Sequence, residues 1–199
     1  MAFDFEKNLS VIARSVASMD MSCYGSLVED CLDALKAGRR IIVSGLGKNV
    51  PVCEKFVSSM RSVGLDAAFI HTSDAFHGDL GIVKEGDVVI ILSKSGKTPE
   101  SLHLADKLKT RKVISWAMTF ENEPSFSTKV DKSITLSLEQ EGGPWNIMPM
   151  NSTIVYLFIL QGIVIDLVNR LGIKLKDFKT NHPGGGIGQK LLDLQSWNN

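Results

Sequence analysis

Five consecutive residues, Val88-Val89-Ile90-Ile91-Leu92, constrain this chain more than any other stretch. An unbroken β-branched and apolar run of this length reads as a strand buried on both faces, and such strands belong to parallel sheets covered by helices on either side. The run stops at Ser93-Lys94-Ser95-Gly96-Lys97-Thr98, and Pro99-Glu100 then opens a helix. Thr98 is placed as its N-cap, with Pro99 in the first turn, where a missing N–H costs nothing. A strand, a tight polar loop and a helix N-terminus together form an anion site, because free backbone N–H groups and the positive end of the helix dipole converge there. Ser93, Ser95 and Thr98 add hydroxyl donors, and a phosphate monoester is the ligand this arrangement suits best. The plainer alternative is a βα turn rich in small residues that holds nothing.

The rest of the chain alternates in the same way. Strands are expected over residues 40–44, 67–70, 113–118 and 133–136, and helices over about 50–63 and 99–109. Two helices lead the chain. Phe5, Leu9, Ile12, Ala13 and Val16 mark the first, and Leu27, Cys31, Leu32 and Leu35 the second, which Gly38 ends. They suit either a sheet edge or an oligomer interface. In the helix after Pro99, Leu102, Ala105 and Leu108 are expected to face inward, and Asn151 or Ser152 should cap a long helix running to about residue 171. Strands alternating with helices give a doubly wound parallel α/β sheet, in one domain spanning residues 1–199.

Composition narrows the function. With 22 basic and 22 acidic residues the formal net charge is +0, and no basic stripe is evident, which argues against nucleic acid as a partner. Cys23, Cys31 and Cys53 show no CxxC spacing, which favours a reducing, cytoplasmic setting. The first residues lack a basic start followed by an apolar core, so no signal peptide is expected. Residues 142–165 carry no charge, but prolines, glycines and asparagines interrupt the first part. The apolar run of residues 154–165 is too short to span a bilayer, so a buried core helix is expected.

Two further motifs need weighing. Gly45-Leu46-Gly47-Lys48 follows the first strand. It lacks the third glycine of a dinucleotide-binding loop, because Val50 stands there. Ile42 and Asn49 likewise break a Walker A pattern. What remains is a glycine turn that delivers Lys48 to the carboxyl end of a strand, or an ordinary surface lysine. His71 and His77, with Asp74 and Asp79 nearby, lack further ligands at a recognised spacing, so no metal is expected.

Taken together, Gly45-Leu46-Gly47-Lys48, His77-Gly78-Asp79-Leu80-Gly81, the Ser93–Glu100 loop, Pro149-Met150-Asn151-Ser152-Thr153 and His182-Pro183-Gly184-Gly185-Gly186-Ile187-Gly188 resemble the sugar isomerase (SIS) domain of the arabinose 5-phosphate isomerase family. The likeness covers residues 38–192. It implies a five-stranded parallel sheet flanked by helices, and interconversion of an aldose phosphate and a ketose phosphate without a cofactor, D-arabinose 5-phosphate and D-ribulose 5-phosphate being the family pair. It places Lys48, Glu100, Glu141 and His182 on catalytic or active-site positions and His77 on a motif histidine. Ser44, Gly45, Gly47, His77, Ser93, Ser95, Gly96 and Thr98 complete the expected substrate contacts. It also implies a homodimer or homotetramer in which subunits share sites. Glu141 is the expected base, His182 the ring opener, and Lys48 the group that steadies an oxyanion or the phosphate. Glu100 has a competing reading as a carboxylate favoured by the helix dipole. The sequence departs from the family pattern at Asn49 and Val50, usually Ser and Gly, at Lys94, usually Asn, and at Lys97, usually Glu. The two added cations are expected either to strengthen anion binding or to signal a different sugar acid or phosphate. Longer members append paired CBS domains, which are not found in this sequence, so regulation through them is expected to be absent.

Overall fold

The apolar runs become five parallel strands, β1 (Ile41–Gly45), β2 (Ala67–His71), β3 (Val88–Leu92), β4 (Ile114–Thr119) and β5 (Lys132–Thr135), in the order β2-β1-β3-β4-β5. This computed structural model describes residues 3–196; Met1, Ala2 and residues 197–199 lie outside it. β3 sits at the centre, paired with β1 through Ile41↔Val88 and with β4 through Val88↔Ile114. All five of its side chains are buried, as a two-faced strand requires.

The strand pleat sends those side chains to two cores. Val88, Ile90 and Leu92 join Trp116, Met118 and Ile134 beneath α2 (Met21–Lys36), α3 (Val50–Ser62) and α6 (Asn151–Leu171). Val89 and Ile91 join Ile42, Ile70 and Ala117 beneath α4 (Pro99–Leu108) and Phe126 of α5 (Pro124–Ser127). Each fully buried Val, Leu, Ile or Phe contributes about 1.5–3 kcal/mol of transfer free energy, which makes the two cores the main source of stability. The polar tips of the two largest buried side chains are satisfied: the Trp116 indole N–H donates to Asp30 Oδ2 at 2.8 Å and the Tyr156 hydroxyl to the Met118 carbonyl at 3.0 Å.

Three expectations need adjustment. Strand boundaries move by one residue, since β1, β4 and β5 are set by ladder register rather than by where apolar residues begin. In α4 the buried apolar residues are Leu104, Ala105 and Leu108, beside the buried Ser101, with Leu102 only partly covered. In α1 (Phe5–Ala17) the buried residues are Asn8, Val11 and Ser15, while Phe5 and Leu9 of the apolar stripe point outward at 72% and 65% exposure. The second helix behaves as read, with Leu27, Cys31 and Leu32 in the core.

Among the described residues α6 is the one helix long and apolar enough to cross a membrane. One side of it carries Val155, Tyr156, Ile159, Leu160, Ile163 and Leu167 into the core, against α3 and α1. Its other side leaves Ile154, Phe158 and Ile165 exposed. After α6 the chain forms α7 (Leu175–Thr180) and α8 (Gly185–Ser196).

Candidate active site

The strand order fixes where a ligand can sit. The chain leaves β1 toward β2 on one side and then crosses to β3 on the other, so the loops after β1 and β3 diverge and open a crevice at the carboxyl edge. Both expected ligand loops are there. Gly47-Lys48-Asn49 forms a short 3-10 turn before α3, and the Asn49 side-chain amide donates to the Leu92 carbonyl at 3.3 Å, tying one loop to the end of β3. Gly45 is required at this closure: a Cβ there would lie 2.8 Å from Asn49 Cβ and 3.1 Å from Cys53 Sγ.

The second loop is held from below. The Lys94 carbonyl accepts from Phe120 N and from Thr119 Oγ1, each at 2.9 Å, and Ser93 N donates to the Met118 carbonyl at 3.1 Å. Gly96 has φ +67°, and a Cβ on it would stand 2.9 Å from Glu123 Cβ. Thr98 occupies the N-cap position of α4 with extended backbone, as expected, but its hydroxyl makes no capping bond; it lies 3.5 Å from Ser93 Oγ instead. With no side chain on it, the amino end of α4 keeps its donors facing the loop, the condition for anion binding. Ser93 is buried and Ser95 half-buried, with Ser95 Oγ accepting from Lys97 N at 3.2 Å.

Glu141 comes to this loop from 47 residues further along the chain. Lys94, between the two serines, places its Nζ 2.7 Å from Glu141 Oε1. The carboxylate is 1% exposed. Its remaining acceptor positions are also filled: Ser152 Oγ donates to Oε1 at 2.7 Å, and the backbone N–H groups of Met150 and Ser152 donate to Oε2, both at 3.0 Å. Glu141 therefore caps α6. Asn151 and Ser152 do not cap it as expected; Met150 holds the N-cap position and has no side-chain bond to offer. Burial pushes the Glu141 carboxyl upward, but the Lys94 ammonium, the two amides and the Ser152 hydroxyl together hold it below the ordinary carboxylate range. The buried phenol of Tyr156, on the next turn, is raised well above its usual value by burial and by that negative charge.

The loop bearing Glu141 is fixed by Asn151, expected as a cap, and by Asn8 and Asn146, for which the sequence reading gave no role. Asn151 Nδ2 donates to Asn8 Oδ1 at 2.8 Å and to the Gln140 carbonyl at 3.1 Å, joining α1 to the loop. Asn146 Oδ1 accepts from Glu141 N at 2.6 Å. Gly142 has φ +85°, and a Cβ there would fall 2.0 Å from Asn8 Oδ1. Buried asparagines with no core periodicity were the available signal; Asn8 lies between apolar residues of a helix and is buried where Phe5 and Leu9 are not.

The other expected residues divide. Lys48 and Glu100 are exposed at the rim of the carboxyl edge, on the 3-10 turn and the first turn of α4. His77 is exposed on the turn after β2, on the same edge but two strands from β3. Ser44 is a correction: it is fully buried inside β1 and its hydroxyl shares a 2.9 Å hydrogen bond with Thr72, so it is engaged by the sheet rather than turned to a ligand. Both added cations are ion-paired. Lys97 pairs with Glu121 at 3.1 Å and Glu123 at 3.6 Å, and Lys94 with Glu141, so neither charge is free beside the loop.

His182 lies at the other end of the molecule. It stacks on Phe178 at 4.0 Å with Nδ1 2.8 Å from the Phe178 carbonyl, and its neighbour Asn181 donates to the carbonyl of Ser62, the last residue of α3. α3 begins at the carboxyl edge and ends at the amino edge, so His182 and the loop are separated by the length of a 13-residue helix, about 20 Å. A cleft of about 680 Å³, lined by Arg39, Gly64, Asp66 and Asn181 among others, opens at that amino edge. Among the described residues no group of three or more His, Cys, Asp or Glu is placed to hold a metal.

Comparison with known proteins agrees with this fold. The SIS domain family matches residues 34–165. The arabinose 5-phosphate isomerase KdsD of Pseudomonas aeruginosa is 34% identical over 188 residues, covering 94% of this chain and 57% of that protein, so the chain spans little more than half the length of this curated relative. The Escherichia coli CFT073 protein c3406, solved in complex with arabinose 5-phosphate, superposes with a TM-score of 0.82 at 26% identity, covering 89% of this chain and 93% of that one. A Listeria monocytogenes structure shares the fold with a TM-score of 0.84 at 24% identity over 90% of this chain and 93% of its own. On its five-stranded parallel sheet, its carboxyl-edge loops and its match over residues 34–165, the chain belongs to the SIS domain family.

Proposed function

We propose that this chain isomerises a phosphorylated sugar between its aldose and ketose forms through an enediol, with D-arabinose 5-phosphate and D-ribulose 5-phosphate as the pair. The observation that carries the reading is the 2.7 Å contact between Lys94, inside the hydroxyl loop, and Glu141. It sets a carboxylate within one side chain's reach of a phosphate cradle. The relatives support the substrate: one is named for arabinose 5-phosphate, and another was solved with that sugar phosphate bound.

The chemistry needs few parts. Ser93, Ser95, Thr98, Gly96 and the amides opening α4 anchor the phosphate, whose binding energy holds the sugar in place. Glu141 takes the proton from the carbon beside the carbonyl and returns it to the neighbouring carbon, while in the enediol between them the C1 oxygen gains a proton and the C2 hydroxyl gives one up, leaving the carbonyl at C2. The C–H electron pair moves into the carbon framework and the carbonyl oxygen gains negative charge, which Lys48 steadies together with the glycine turn at Gly45 and Gly47. His182 opens the sugar ring, an imidazole being able both to give and to take a proton near neutral pH. Glu100 and His77 border the same edge. The reaction is redox-neutral within the sugar, so no redox cofactor is assigned. We place the protein in the cytoplasm, a setting that its unpaired cysteines suit.

With His182 on the amino edge, a complete site requires a second copy whose amino edge meets this carboxyl edge. The outward apolar residues Phe5 and Leu9 of α1 and Ile154, Phe158 and Ile165 of α6 suit burial against that copy. The proposed assembly is a homodimer or homotetramer with shared sites.

A second reading has one observation in its favour. All the acceptor positions of Glu141 are taken, as a structural cap in a non-catalytic phosphosugar-binding module would have them. Assays with a panel of pentose and hexose phosphates separate the two. Turnover of one of them identifies the enzyme and its sugar, while saturable binding without product identifies the module. For the substrate found, Ser95→Ala and Thr98→Ala should each raise KM about tenfold, the worth of a hydrogen bond to a charged group, with kcat little changed. An unchanged KM in both would remove the loop as anchor.

A further inference from the structure

The four donors on Glu141 differ in mobility. Two are backbone amides, of the N-cap residue Met150 and of Ser152 in the first turn of α6, which cannot leave without moving that end of the helix; the third, Ser152 Oγ, is a short, uncharged and buried side chain on the same turn. The fourth, the Lys94 ammonium, ends a flexible four-carbon stem that is 39% exposed. The Lys94 backbone is pinned through its carbonyl to Thr119 and Phe120, so the ammonium can swing while the loop stays in place. The other cation of the loop, Lys97, is held by Glu121 and Glu123. An ionised carboxylate has about four lone-pair positions, so a Glu141 with all of them filled has none left to accept a proton from carbon.

We propose that Lys94 is a displaceable latch on Glu141: its ammonium occupies one carboxylate oxygen until a phosphate seated on the Ser93–Thr98 loop draws it off, freeing that oxygen for proton transfer. The inference rests on the reading of the loop and Glu141 given under Proposed function. A phosphate monoester carries about 1.5–2 negative charges near neutral pH, against one on Glu141, and would sit on the loop from which Lys94 projects. Removing the ammonium also leaves burial less opposed, so the carboxylate becomes a stronger base when substrate is bound. The groups facing Glu141 from other elements do not replace Lys94. Tyr156 is buried and donates to Met118, Asn146 is uncharged and bonds the Glu141 backbone, and Asn8 is uncharged and bonds Asn151. Lys94 is thus a positioning residue that acts through Glu141, and it stands where the resemblance expects asparagine.

The test is a pH titration of the Glu141 carboxyl carbon by NMR in protein labelled at glutamate, with the resonance assigned by its loss in Glu141→Gln. The wild-type midpoint should lie below that of an ordinary glutamate and rise by about one pH unit when inorganic phosphate saturates the loop. Lys94→Asn should raise it by a similar amount without phosphate, and phosphate should then add little. A wild-type midpoint that saturating phosphate does not move overturns the latch, as does a folded Lys94→Asn whose midpoint equals that of wild type. Failure of phosphate to bind, followed by its own 31P signal, overturns it as well. Because no turnover is read, the outcomes separate: an active isomerase with an unresponsive Glu141 refutes the latch alone, and an inactive chain with a responsive Glu141 refutes the isomerase reading alone.

Discussion

Glu141→Gln should cut turnover by about a hundred- to ten-thousand-fold, the usual worth of a general base, while sugar-phosphate binding stays within a few-fold of wild type. The substitution is close to isosteric, but it removes two things together. The amide has no basicity to take a proton from carbon. Its carbonyl oxygen can still accept from Met150 N and Ser152 N, whereas its NH2 group would face the Lys94 ammonium and the Ser152 hydroxyl, which now donate to Glu141. A stability loss is therefore expected beside the kinetic one, and pH separates the two. The Glu141 carboxyl is held below its ordinary value of 4.5, so its contribution to stability is present above that pH and lost as pH falls through the lower folded value. Glu141→Gln should thus melt earlier at neutral pH and lose less on acidification than wild type does. Retained turnover in a folded variant would leave Glu141 as a cap of α6 and nothing more.

The second large effect concerns His182. His182→Ala should lose about a hundredfold or more in turnover, as removal of a positioned acid–base group does. The sharper expectation is complementation. Within one chain the histidine lies a helix length from the loop, beside the far end of α3. If it serves the Glu141 of a neighbouring copy, mixed assemblies of Glu141→Gln and His182→Ala subunits contain some sites with both groups intact. Unfolding and refolding the two inactive variants together should then restore a fraction of wild-type activity, and refolding each alone should restore none. Activity that stays absent in verified mixed oligomers would contradict the shared site.

Several of these features could be read from residue order, and others could not. β3 was legible because a run with no polar residue has few other places to fold, and the loop after it was legible because Pro99 and Thr98 mark a helix start whatever surrounds them. The α1 stripe misled. Periodicity identifies a helix and its apolar side, but the side that faces the core here is the one carrying Asn8, Val11 and Ser15, and Asn8 is held there by its bonds to the Asp4 carbonyl and to Asn151 beside the Glu141 loop. The capping of α6 misled for a related reason. Local rules look for a cap adjacent to the helix, and the group that caps it stands at Glu141, across an irregular turn that needs Gly142 at positive φ. Lys94 was recognisable as a departure from the family pattern, yet its partner is 47 residues away, and no spacing rule reports such a pair. His182 was assigned to the site by resemblance; its place at the amino edge follows from the turn after α7 and from its packing on Phe178.

The most direct measurement is isotope exchange. The protein is incubated with D-arabinose 5-phosphate in deuterated water and the recovered sugars are analysed by NMR. The account predicts deuterium at C2 of the aldose and C1 of the ketose, since a carboxylate that takes a proton from one carbon and returns it to the next will trade part of it with solvent. Sugar phosphate that binds saturably, yet is recovered with neither deuterium nor ketose, would contradict it and leave a binding domain in place of an isomerase.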